Sequence, residues 1–173
     1  MCAAPGGKSI HAADKMGDYG NVDARDVSQY KADLIKENIH RTGVINVDAK
    51  VQDATVYDPD SEQAADIVIA DVPCSGYGVI GKKPEIKYRA TPQKQEEIVM
   101  LQRMILDKAA KYVKPDGTLI FSTCTIAREE TKKMYYGFKE LSVSTGKSGP
   151  VYSGRTSLQI HKTRVSAASA GDT

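Results

Sequence analysis

Long apolar stretches are missing from this sequence. No run of about 18 apolar residues occurs, which argues against a membrane-spanning helix. Met1 leads straight into Cys2-Ala3-Ala4-Pro5 without an apolar leader segment, so no signal peptide is expected and a cytoplasmic location follows by default. Cysteine is scarce too: Cys2, Cys74 and Cys124 form an odd set with no CxxC pair. That excludes a disulfide framework and a zinc site, and no metal is expected. The charge is not extreme. A net +2 and a pI of about 8.3 do not by themselves argue for a nucleic-acid partner. No internal repeat is visible. Isolated thiols in such a chain are most often small buried hydrophobes, and a chemical role for them has to be argued against that background.

What remains is an ordinary globular composition, 40% hydrophobic and 27% charged, over 173 residues, a length typical of one domain. Helical and strand patterns alternate, which predicts an α/β fold with an open, mostly parallel sheet. A Gly-rich turn at 2–8 precedes a helix over 8–16, and a weak strand over 20–26 ends at Asp26. Residues 28–42 read as an amphipathic helix: Ser28 is the N-cap, Tyr30, Leu34, Ile35 and Ile39 share a face, and Gly43 stops it. A short strand at 48–52 ends before Asp53. The run Ile67-Val68-Ile69-Ala70 predicts a strand over 66–71 buried on both faces. Residues 72–91 form a long loop, a length that is usually functional. The longest helix spans 92–113, stopped by Pro115-Asp116-Gly117, and a second buried strand at 118–122 runs into Cys124. A charged helix follows over 127–140. Residues 1–141 are thus read as a catalytic domain and 142–173 as an atypical, flexible tail.

In an open parallel sheet, ligands bind beyond the carboxyl ends of the strands. Asp26, Asp53, Asp71 and Cys124 all fall at such ends. Each alone is weak, because an Asp there is more often a turn former or helix cap. Gly6-Gly7 allows close approach of backbone N–H groups to a ligand and opens a helix whose N-terminus favours a carboxylate. The turn is not a GxGxxG motif and carries little weight in isolation. Asp26 is placed to accept hydrogen bonds from ribose hydroxyls. Asp71-Val72-Pro73-Cys74-Ser75-Gly76 is more specific, because its proline stiffens a turn that holds a carboxylate and a thiol three residues apart. Cys124 adds a second thiol at the end of the neighbouring strand. Two such cysteines are hard to explain as core packing.

Three segments together, Cys2-Ala3-Ala4-Pro5-Gly6-Gly7-Lys8, Asp71-Val72-Pro73-Cys74-Ser75-Gly76 and Ser122-Thr123-Cys124-Thr125, resemble the signature motifs of the RsmB/Nop/Sun RNA cytosine-5 methyltransferases. The loop from Gly78 to Lys87 resembles that of bacterial members acting on small-subunit ribosomal RNA. The resemblance covers residues 2 to about 135. It implies a Rossmann-like fold and S-adenosylmethionine as methyl donor. Cys2, Ala3, Ala4, Pro5, Gly6, Gly7 and Lys8 would hold the methionine end, Asp26 the ribose, and Asp53 would lie beside the adenine. Asp71 would sit near both the cofactor and the target base. Cys124 would be the nucleophile that adds to cytosine C6, and Cys74 the second thiol that assists loss of the C5 proton and product release. The target base has to be unpaired or flipped. Lys82, Lys83, Lys87 and Arg89 are balanced between contacts to RNA phosphates and a solvated basic loop.

The resemblance also has edges. The family's first strand before the Cys-Ala-Ala-Pro turn, its upstream RNA-binding region and its C-terminal hairpin are all expected to be missing here. The expected partner is RNA, ribosomal RNA first with transfer RNA as the alternative, with no membrane and a monomeric state. Two other readings stand beside the enzyme. One is a silent remnant that binds S-adenosylmethionine or RNA. The other is a small-molecule methyltransferase, a class with no need for two strand-end thiols.

Overall fold

The chain is described by a computed structural model covering residues 1–17, 19–89, 91–134, 151–152 and 159–164. It divides into two units, Met1–Tyr57 and Asp58–Thr173.

The first unit comprises α1 (Gly7–Met16), β1 (Val22–Asp26), α2 (Gln29–Thr42) and β2 (Val47–Val51). β1 and β2 pair parallel without a break, from Val22 opposite Val47 to Asp26 opposite Val51. α2 begins where the Ser28 hydroxyl accepts the Lys31 N–H at 3.4 Å and ends at Gly43, left-handed with φ 73. Ala13, Ala24, Ile35 and Val47 form the core, with Val22, Ile39 and Val44 packed against it. Tyr30 does not join that face and is 73% exposed. It precedes Ile35 by five residues, which in an α-helix is a rotation of about 140°.

The second unit holds β3 (Ala65–Asp71), the short α3 (Ile86–Arg89), α4 (Pro92–Tyr112), β4 (Val113–Thr123), β5 (Val151–Tyr152) and β6 (Gln159–Arg164). The sheet order is β3-β4-β6-β5. β3 and β4 run parallel, as a helical crossover requires, and α4 is that crossover. Thr91 caps α4 and Pro92 occupies its first turn. α4 packs on β3 and β4, with Ile105, Leu106, Ala109 and Tyr112 buried on the helix and Val68, Ala70, Leu119 and Phe121 on the strands. Each fully buried large side chain of this set contributes about 1.5–3 kcal/mol. The Tyr112 hydroxyl accepts the Asp58 N–H at 2.8 Å.

Most predicted elements are present, with some corrections. β3 is not buried on both faces: Val68 and Ala70 are buried but Ile67 is 58% exposed, the alternation of a strand covered mainly on one side. The segment 72–91 contains a single 3₁₀ turn, Tyr77–Val79, as well as α3. β4 starts at Val113, directly after α4, because Pro115-Asp116-Gly117 bulges out of the strand between the pairs Ala65–Val113 and Ile67–Thr118. The described residues of the tail add two short strands: β6 pairs antiparallel with β4 from Thr118–Arg164 to Thr123–Gln159, and β5 pairs with β6. Backbone pairing along an edge of β4 decides this, and side-chain periodicity does not report it. Of the helix expected over 127–140, residues 128–131 are turn or bend and 132–134 helical; the remainder lies outside the described residues. No helix among the described residues is long and apolar enough to cross a membrane.

Gly117 is the tightest point of the bulge. A Cβ there would lie 2.6 Å from Val113 Cγ1 and 2.9 Å from the carbonyl oxygens of Asp66 and Lys114. Gly117→Ala is therefore expected to destabilise the chain by about 1–3 kcal/mol, seen as a lower denaturant midpoint with an unchanged slope.

Candidate active site

Each unit gathers its own set of the expected residues. In the first, the turn at 2–8 is tied to the end of β1. The Ala3 N–H donates to the Arg25 carbonyl at 3.0 Å and the Ala4 N–H to Asp26 Oδ2 at 2.8 Å. Asp26 is only 3% exposed; its Oδ1 accepts the Val27 N–H at 2.8 Å and pairs with Lys31 Nζ at 3.2 Å. A carboxylate accepts about four hydrogen bonds, so Oδ2, with one, keeps capacity for a ligand hydroxyl. Asn38 Nδ2 holds the Pro5 carbonyl at 2.9 Å from α2.

Gly6 has φ 103, and a Cβ on it would stand 3.1 Å from Ile35 Cγ2, so the helix can approach the turn this closely only at glycine. A Cβ at Gly7 would meet nothing within 4 Å, and no side chain caps the start of α1. An open backbone at an uncapped helix N-terminus suits an anionic group such as the carboxylate of S-adenosylmethionine. The residues present fit that cofactor. Asp53 is engaged differently. Its Oδ1 accepts the N–H of Thr55 at 2.8 Å and its hydroxyl at 2.7 Å. The backbone bond first, and the hydroxyl second, hold its carboxyl below the usual range. Asp53 is thus a turn former as well as a candidate adenine neighbour.

In the second unit, the β3–β4 register sets Asp71 opposite Ser122, and the Ser122 hydroxyl donates to Asp71 Oδ1 at 2.6 Å. Beyond the strand ends the two loops stay joined. The Val72 N–H reaches the Ser122 carbonyl at 3.2 Å and the Gly78 N–H the Cys124 carbonyl at 3.1 Å, while the Ser75 and Thr125 hydroxyls lie 2.7 Å apart. This brings the Cys74 and Cys124 sulfurs to 3.1 Å, with Cys124 exposed and Cys74 partly covered. The hydrogen bond to Cys124, and then burial, push the Cys74 thiol well above the ordinary cysteine range. The Cys124 N–H, 3.4 Å from the Cys74 sulfur, and the Gly76 N–H pull the other way without reversing the shift. The two sulfurs thus share one hydrogen bond, and its effect on Cys74 is to favour the protonated thiol.

Lys82 and Lys83 are exposed on the loop, and the side chains of Lys87 and Arg89 lie outside the described residues. Sequence reasoning passed over several residues that build the site. Gln102, fully buried, holds the Pro73 carbonyl at 2.7 Å, and Glu130, also fully buried, accepts the Ser75 N–H at 2.8 Å. Gln102 had a signal, being a polar residue inside the apolar stripe of α4. Glu130 had none that separates it from the exposed Glu129 beside it.

The fold and the sequence have known relatives. The fold is that of SAM-dependent methyltransferases: one from Aquifex aeolicus superposes with a TM-score of 0.66 over 95% of this chain and 79% of its own, at 14% identity, which speaks to the fold alone. A family model, 16S rRNA methyltransferase RsmB/F, matches residues 1–140, and the chain belongs to that family. The probable ribosomal RNA small subunit methyltransferase B of Bacillus subtilis is 40% identical over 138 residues, 79% of this chain and 31% of that protein. The ribosomal RNA small subunit methyltransferase F of Escherichia coli is 34% identical over 140 residues, 81% of this chain and 29% of that one. NSun6 from Pyrococcus horikoshii, solved with SFG, superposes with a TM-score of 0.76 at 28% identity, over 97% of this chain and 47% of its own. The chain thus spans under a third of the length of these two curated relatives.

The thiol pair can be tested without a substrate. Alkylation by iodoacetamide at pH 8 is expected to modify Cys124 well before Cys74. In Cys124→Ala, with the bond that holds the Cys74 proton removed, Cys74 should alkylate faster than in the parent. Peptide mass spectrometry over a time course reads both rates.

Proposed function

We propose that the chain carries the catalytic machinery of an RNA cytosine-5 methyltransferase, acting on small-subunit ribosomal RNA, with Cys124 as the nucleophile. The observation that carries this reading is the pair of sulfurs 3.1 Å apart beside Asp71. One thiol is exposed and paired with a neighbour that retains its proton, which is how a nucleophile and its helper are set apart. S-adenosylmethionine supplies the methyl group when bound, and the Cys2–Lys8 turn, Asp26 and Asp53 are the residues proposed to hold it.

Cytosine C5 is a weak nucleophile. The Cys124 thiolate adds to C6, forming a C–S bond and leaving C5 electron-rich enough to take the methyl group. Asp71, oriented by Ser122, hydrogen-bonds the N3 and amine edge of the ring and stabilises the adduct. With Cys124 now bonded to the ring, the contact that held the Cys74 proton is gone. Cys74 then loses its proton to solvent, and the N–H groups of Cys124 and Gly76 support the thiolate. It takes the C5 proton, the C5–C6 double bond re-forms, and the C6–S bond breaks to return the Cys124 thiolate. The base must leave its stack to reach these groups, at a cost smallest for unpaired RNA.

Incubation with unmodified small-subunit ribosomal RNA and labelled donor tests this. Cys74→Ala should accumulate a covalent RNA adduct stable to denaturing electrophoresis, and Cys124→Ala should form none. Methylation that survives both substitutions rules the assignment out.

A further inference from the structure

Both peptide groups that flank Cys74 are held by buried side chains. On its N-terminal side, the Pro73 carbonyl accepts Gln102 Nε2 at 2.7 Å; on its C-terminal side, the Ser75 N–H donates to Glu130 Oε2 at 2.8 Å. The same Gln102 Nε2 lies 3.3 Å from Glu130 Oε2, so the two grips form one unit. Gln102 comes from the middle of α4 and Glu130 from the turn after β4, and both are fully buried. The Ser75–Thr125 hydroxyl pair closes the same turn from the side.

Stability does not account for this cluster. The remaining oxygens, Gln102 Oε1 and Glu130 Oε1, have no hydrogen-bond partner among the described residues. A buried carboxylate with one oxygen unpaired costs folding free energy, and replacing such a group by an apolar one of similar volume is often neutral. What the cluster does achieve is geometric: it fixes the Cys74 backbone so that its sulfur lies under the Cys124 N–H and 3.1 Å from the Cys124 sulfur.

We infer that Glu130 and Gln102 are positioning residues for Cys74, and that they act on release of the methylated RNA and not on formation of the covalent adduct. The inference rests on the thiol roles proposed above. It follows from which thiol is gripped. Neither residue is hydrogen-bonded to the backbone of Cys124 or to Asp71 in any contact seen, so attack on C6 is left intact when the grip is lost, while proton removal at C5 is not.

The experiment follows adduct and product over time in the full chain with small-subunit ribosomal RNA and labelled donor. Variants Glu130→Leu, Glu130→Gln, Gln102→Leu and Cys74→Ala are compared with the parent. Glu130→Leu is expected to trap RNA covalently about tenfold more than the parent, the loss of one buried hydrogen bond beside Cys74. Glu130→Gln, which keeps an oxygen for the Ser75 N–H, should return trapping close to the parent. Combining Glu130→Leu with Cys74→Ala should trap no more than Cys74→Ala alone, as residues acting through one another do. Parent-level trapping in Glu130→Leu, with Cys74→Ala trapping normally, overturns the inference and leaves the thiol assignment standing. No trapping in Cys74→Ala removes the thiol assignment and the inference together. If Glu130→Leu loses its cooperative melt, Gln102→Leu decides in its place: trapping supports the inference, and parallel loss of adduct and methylation overturns it.

Discussion

The site in the second unit depends on one backbone register. β3 and β4 pair so that Asp71 stands opposite Ser122. Because side chains alternate with a period of two, a slip of one residue would turn Ser122 away from Asp71 and carry the following thiol to the other side. The helical crossover α4 and the buried pairs Val68, Ala70, Leu119 and Phe121 hold that register through hydrophobic burial. The bulge at Lys114–Gly117 lies at the opposite end of the strand and absorbs the extra residues there, so the pairing near Asp71 stays regular.

Beyond the strands, polar contacts take over. Two loops that end a parallel pair have no ladder between them, yet here they are stitched by Val72, Ser75, Gly78, Thr125 and Glu130. Buried networks of this kind gain strength from low local polarity and are costly when incomplete. The proposed chemistry sits where this stitching joins the two loops, and Cys124 is the exposed thiol of the pair.

Much of this was legible in the sequence. Periodicity located α2, α4, β3 and the end of β4, because burial of an apolar face dictates those elements. The strand-end logic singled out Asp71, Cys74 and Cys124, which the structure brings together, and Asp26, which it ties to the 2–8 turn. Two kinds of information were out of reach. β6 is specified by backbone pairing with β4, and β5 by pairing with β6, which leaves little mark on side-chain pattern. The contacts of Gln102 and Glu130 with the Cys74 turn span 29 and 55 residues; the polar Gln102 stood out within an apolar stripe, but no local pattern names its partner or marks Glu130. Tyr30 lies off the buried face for a simpler reason: it stands five residues, not four, before Ile35.

Asp26 draws three elements into one knot: the Ala4 N–H, the Val27 N–H and Lys31 all converge on its carboxylate, and Asn38 secures Pro5 from the far side. The turn between them has little rotational freedom left to lose. A ligand settling on it surrenders its own entropy but draws little from the protein, so a larger share of the contact energy appears as affinity. That share was set aside during folding, when the chain ordered the turn and packed its Ala3 and Ala4 against the core.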